Sequence, residues 1–120
     1  MKVAVTSQWP DMASEVDPRF GRAKFFVVVE TDTGEFTTHD NAQNLNAVQG
    51  AGIQAAQNVV SLGVDAVITG NVGPKAFTTL QAGKVKAYVG ATGSVADAVG
   101  RLKAGQLECV RKPNVEGHWE

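Results

Sequence analysis

Two apolar runs open the chain. KVAVTS (2–7) and KFFVVVE (24–30) are rich in β-branched and aromatic residues and do not alternate cleanly, the pattern of strands covered on both faces. Both are expected at the centre of a sheet. TDTG makes a turn after the second run, and EFTTHD (35–40) alternates weakly, as a shorter antiparallel strand at a sheet edge does.

From Asn46 the period becomes helical. Val48, Gly52, Ile53, Ala56, Val59 and Val60 fall on one stripe, Gly50 and Gly52 lie in the first turn, and Gly63 is placed to end the helix. DAVITG (65–70) follows as a strand. NVGPKAFTTLQAG then predicts a helix with Pro74 in its first turn and Gly83 as its stop, and KAYVG (86–90) a further strand. SVAD opens the last helix with a capping box of Ser94 and Asp97, and Gly105 closes it. VRKPNVEGHWE has no period, so the tail is expected to be mobile from residue 113, leaving a single domain over 1–112.

These elements give an α/β class. Three N-terminal strands precede a parallel βαβα half with right-handed crossovers, a mixed sheet of about five strands flanked by helices. The second half also echoes itself: ITGNVGPKAF and VGATGSVADA share the order strand, glycine, two residues, glycine, helix.

Composition narrows the partners. A chain of 120 residues with 43% hydrophobic content is one domain with one core. Its 11 basic residues nearly cancel its 12 acidic ones, so no long-range field draws in nucleic acid or an acidic membrane. Any charged ligand must be met locally. MKVAVTSQWP carries one lysine and a short apolar run, unlike a signal peptide, and no apolar stretch approaches the roughly 20 residues of a membrane span. A cytoplasmic monomer is expected. The lone Cys109 excludes an internal disulfide and any multi-cysteine metal site, and in LECV it reads as a buried thiol.

Candidate chemistry gathers where strands hand over to helices. Ligands of open α/β sheets bind beyond the carboxyl ends of the parallel strands, where helix N-termini present unpaired N–H groups and partial positive charge. Three segments should converge there: Gly50, Ala51 and Gly52; Gly70, Asn71, Val72, Gly73, Pro74 and Lys75; and Ala91, Thr92 and Gly93. Their glycines either admit a bulky ligand to the backbone or permit tight packing of helix on sheet. The loop VDPRFGR adds Arg19, Phe20, Gly21 and Arg22, either beside the ligand or as a solvated turn. Small and apolar surroundings suit a large, diffuse anion. Neither a phosphate-binding G-x-x-x-x-G-K-[ST] nor a dinucleotide G-x-G-x-x-G is present. With only His39 and His118 as histidines, and no carboxylates along the central strands, the sequence offers no triad and no nuclease site. His39 is either a metal contact or a surface histidine.

VDPRFGRAKFFVVVE, NAVQGAGIQAAQNVVSLGVDAVITGNVGPKAFTTLQAG and KAYVGATGSVADAV together resemble the dinitrogenase iron-molybdenum cofactor biosynthesis family, the NifX/NafY-like cluster-binding proteins. Within that family, the small stand-alone domain is similar to the orange proteins of sulfate-reducing bacteria, and the likeness spans roughly residues 1–108. The resemblance implies a ribonuclease-H-like α/β fold. It also implies binding, carriage or storage of a metal-sulfur cluster rather than catalysis, with a protein partner for delivery. The cargo it implies is an anionic mixed molybdenum-copper sulfide cluster, or another Mo/Fe-sulfur cluster, held without covalent attachment. Arg19 and Arg22 would then lie beside the cluster. The competing expectation is a regulatory module that senses a nucleotide or other small anion without metal.

Overall fold

The computed structural model describes residues 1–41 and 50–113. The elements are β1 (Lys2–Ser7), β2 (Phe25–Glu30), β3 (Phe36–Asp40), α1 (Ala51–Ser61), β4 (Ala66–Ile68), α2 (Pro74–Ala82), β5 (Lys86–Val89), α3 (Val95–Lys103) and β6 (Glu108–Val110). A single 3-10 turn at Phe20–Arg22 precedes β2.

The strands form one mixed sheet in the order β3-β2-β1-β4-β5-β6. β1, β2 and β3 make an antiparallel meander, with Ser7 opposite Phe25 and Phe26 opposite His39. β1, β4 and β5 run parallel, and β6 returns antiparallel to β5. The carboxyl ends of β1, β4 and β5 therefore share one end of the sheet.

The central strands look uniformly apolar because their two faces feed two separate cores. Ala4, Phe26, Val28, Val67 and Ala87 pack with α1 and α2, whereas Val3, Val5, Val27, Val29, Ala66 and Ile68 pack with α3. Alternation is real in space, but both alternating sets are hydrophobic. Each large side chain so buried contributes about 1.5–3 kcal/mol.

Three expectations are corrected. A sixth strand, β6, extends the predicted five; only its last residue, Val110, falls in the segment read as aperiodic. Cys109 lies on it and is exposed, not buried, because the sheet ends there and no further strand among the described residues covers it. Gly50 does not weaken a helix from within: it is the N-cap of α1 in left-handed backbone at φ +79°, a conformation that costs glycine nothing. Asn46 and Val48, where the helix was expected to begin, and tail residues 114–120 lie outside the described residues.

Candidate functional site

The loop after β1 shapes the carboxyl end of the sheet. Asp17 and Pro18 start a turn in which the Asp17 Oδ1 accepts the Arg19 N–H at 2.9 Å, and Asp17 is only 6% exposed. Thr6 Oγ1, buried in β1, donates to the Asp17 carbonyl at 2.7 Å and meets Thr69 Oγ1 at 2.9 Å. The Asp17 N–H returns a bond to the Thr6 carbonyl. This buried polar knot fixes where Arg19 begins.

Phe20 then turns inward. It is 2% exposed and its ring lies 6.1 Å from that of Phe26, tilted by 41°. With Phe20 anchored, Gly21 rests on the first turn of α1: a Cβ added there would stand 2.9 Å from the Gly52 nitrogen and 3.0 Å from its Cα. On the other side the Phe20 N–H donates to the Asn71 carbonyl at 3.3 Å, and Asn71 Nδ2 donates to the Pro18 carbonyl at 3.1 Å. Gly70 permits this approach, since a Cβ there would meet Pro18 Cα at 2.7 Å.

The sequence-predicted residues therefore divide. Gly21 packs on Ala51 and Gly52, Arg19 and Phe20 pair with Asn71, and Gly70 packs on Pro18, while Gly50 and Gly73 are the N-caps of α1 and α2 and Val72 is buried. Pro74 opens α2, and Lys75 is exposed in its first turn. Neither α1 nor α2 has a side-chain cap or an acidic residue in its first turn. A lysine at that end of a helix opposes the dipole, an arrangement costing about 0.3–1 kcal/mol that a bound anion would reverse.

Ala91, Thr92 and Gly93 belong to a different environment. The Val95 N–H donates to Ser14 O at 2.8 Å, the Ala96 N–H to Met12 O at 3.0 Å and the Asp97 N–H to Ser94 Oγ at 3.0 Å, so the first turn of α3 is already capped. The Val16 N–H bonds the Gly93 carbonyl, and Arg101 Nη1 donates to the Thr92 carbonyl and hydroxyl. Residues 12–16 thus lie as a strap between this helix end and solvent. Asp17, Ser14 and Thr69 were not singled out in the sequence; the Asp-Pro pair at 17–18, a turn initiator, was the available signal.

His39 sits on β3 with Nε2 3.2 Å from Thr37 Oγ1, beside Asn58, Ser61 and Leu62 of the α1 side. Among the described residues no three His, Cys, Asp or Glu side chains gather as a metal site. Three clefts, of about 710, 420 and 360 Å3, lie away from the glycine junction, along the β2–β3 hairpin, the β5–β6 edge and the His39 side of β3. No helix of the described residues is long and apolar enough to cross a membrane.

Comparison with known proteins shows the family of the chain. The structure superposes on the apo form of the orange protein from Desulfovibrio gigas with a TM-score of 0.92 and 41% identity, covering 95% of this chain and 96% of that one. A putative NifB protein from Thermotoga is 35% identical with a TM-score of 0.82, covering 97% and 98%. An uncharacterized protein of Methanocaldococcus jannaschii is 30% identical over 110 residues, 90% of either chain. The profile described as dinitrogenase iron-molybdenum cofactor matches residues 1–105, and the chain belongs to that family.

Proposed function

We propose that this protein binds an anionic molybdenum-containing metal-sulfide cluster without covalent attachment, and carries or stores it in the cytoplasm as a monomer. The observation that carries the reading is the junction itself: a turn bearing Arg19 and Arg22 packs on the first turn of α1 and pairs with Asn71 ahead of α2, and neither helix has a side-chain cap or an acid in its first turn, where α2 carries the exposed Lys75. Sulfide faces of a cluster accept hydrogen bonds from N–H groups and attract guanidinium and ammonium, so cysteine ligands are not required. Cys109, on the far edge strand, takes no part. A mixed Mo-Cu sulfide cluster, the cargo implied by the resemblance to the orange proteins, is the first candidate, and another Mo/Fe-sulfur cluster is the second.

Ala91, Thr92 and Gly93 flank this surface across the strap, and His39 is a surface histidine outside it. The role is binding, not catalysis, with a protein partner receiving the cluster. The meander followed by parallel β4 and β5 is also read here as ribonuclease-H-like.

The test is anaerobic reconstitution with tetrathiomolybdate and cuprous ion, followed by visible absorption. Each charged contact should contribute about 1–3 kcal/mol. Arg19→Ala/Lys75→Ala is therefore expected to lose about tenfold or more in affinity at physiological salt, where screening acts over about 8 Å, while the apo form melts no lower than the parent, since removing Lys75 relieves its opposition to the α2 dipole. Cys109→Ser should take up the cluster normally. A parent protein that stays colourless but melts higher with ATP would replace this reading with nucleotide sensing.

A further inference from the structure

The opposite edge of the sheet carries a second surface, independent of the cluster reading. Among the described residues β6 pairs only with β5, leaving its outer N–H and C=O groups unpaired by any strand. Such an edge invites another strand. Beside it, on the α2 face, runs the cleft of about 420 Å3, with Phe77, Val85, Ala87 and Val110 in its lining. Phe77, Val85 and Ala87 are each 8% exposed or less and belong to the α1/α2 core, so this apolar lining is held in place from below.

The charge of this cleft is one-sided. Lys84, Lys86 and Arg111 line it and no acidic residue does; Glu108 of β6 is not among the lining residues. Among the described residues none of the three cations takes part in an ion pair. Lys84 is also the one non-glycine described with positive φ, at 61°. The cause lies next door: a Cβ on Gly83 would stand 2.5 Å from Val60 Cγ2, so the glycine is needed for helix packing and the left-handed position falls to lysine.

We propose that this edge docks an extended acidic segment of a partner protein, which adds to β6 as a seventh strand. The segment sets an apolar side chain against Phe77, Val85 and Val110 while its carboxylates face Lys84, Lys86 and Arg111. Main-chain pairing supplies affinity, the apolar contact fixes register, and the cations select an acidic sequence over a basic one. A three-residue strand with a solvated rim gives a transient, salt-sensitive complex, as suits an exchange partner.

The probe is a fluorescein-labelled peptide, Glu-Glu-Val-Glu-Phe-Glu-Glu, followed by anisotropy and by amide shifts of the full chain. Saturable binding at low salt that moves the amides of residues 108–111 is expected, weakened by about tenfold in Lys84→Glu/Arg111→Glu and by added salt. The same peptide with lysine for glutamate should not bind. The proposal is overturned by no binding of the acidic peptide, or by equal binding of the lysine peptide or by the charge-reversed variant. It is equally overturned if binding arises only in a chain ending at Pro113, which makes residues 114–120 the occupant, or if the parent sediments as a dimer that the variant loses, which makes a second copy the occupant.

Discussion

Gly70–Gly73 and Gly90–Gly93 share one pattern, each leading from a parallel strand into a helix, yet they end as opposite electrostatic environments. At α3 the first-turn donors are spent on Ser14, Met12 and Ser94, and Asp97 brings a negative charge to the positive end of the dipole. At α2 no side chain caps the helix, no acid enters the first turn, and Lys75 adds positive charge. A glycine motif at a strand-to-helix turn therefore marks only the place where an anion site can form. What lies over the helix end decides whether one does.

The comparison is most severely strained by giving each strand terminus a Cβ. Gly70→Ala drives its methyl group into the Pro18 backbone at 2.7–2.8 Å, which cannot rotate aside. It is expected to cost about 3 kcal/mol, the upper part of the range for overpacking, and to displace the Arg19 turn. Gly90→Ala meets nothing within 4 Å and suffers only its left-handed φ of +78°, worth about 1–2 kcal/mol. Thermal melting ranks the two. Cluster uptake by the refolded proteins should fall only in the first, and equal uptake would show that the turn's position does not matter.

A smaller effect sharpens the contrast from the α3 side. Ser94→Ala removes one half of the capping box, at about 1 kcal/mol, and should leave cluster affinity at the parent value. If affinity rose instead, the emptied α3 terminus would itself be binding the anion.

The smallest effect lies at the other end of the sheet and serves as the control. The Met1 ammonium donates to Glu30 Oε1 at 2.9 Å; that bond holds the amine's pKa above its ordinary value and the Glu30 carboxyl below its own. The amine's contribution to stability is full below its ordinary pKa and is lost as pH rises through the raised one. The carboxylate's is full above its ordinary pKa and is lost as pH falls through the lowered one. Both groups are exposed, so Glu30→Gln should lower the melting temperature only slightly, at pH between those windows, and converge on the parent outside them. Cluster uptake should follow neither window.

Much of this architecture was legible in the residues. The span of β1, the Pro74 start and Gly83 stop of α2, and the Ser94–Asp97 capping box emerge where apolar runs and turn residues placed them, because each depends on local chemistry. β6 was not legible: Glu108–Val110 is three residues long, exposed at Glu108 and Cys109, and a strand only because Ala87 to Val89 stand opposite. The site was half legible. Glycine and arginine positions marked the junction, but nothing in GATGS announces that Met12 and Ser14, far earlier in the chain, will supply its acceptors. At Gly21 and Gly70 a Cβ would meet neighbouring backbone, so close packing alone accounts for glycine at both positions.

The strap over α3 has a temporal consequence. Residues 12–16 are made early, but the helix whose N–H groups they accept is nearly the last element of the chain. Contacts so distant in sequence form late in folding, after the loop-closure entropy has been met. The β1–β2–β3 meander rests on pairings closer in sequence, whereas the carboxyl end of the sheet gains its roof only when α3 arrives. In pulse-labelled refolding, the amides of Val16, Val95 and Ala96 should accordingly gain protection after those of Val27 and Val29, and a nascent chain would present an unfinished mouth until its final helix docks.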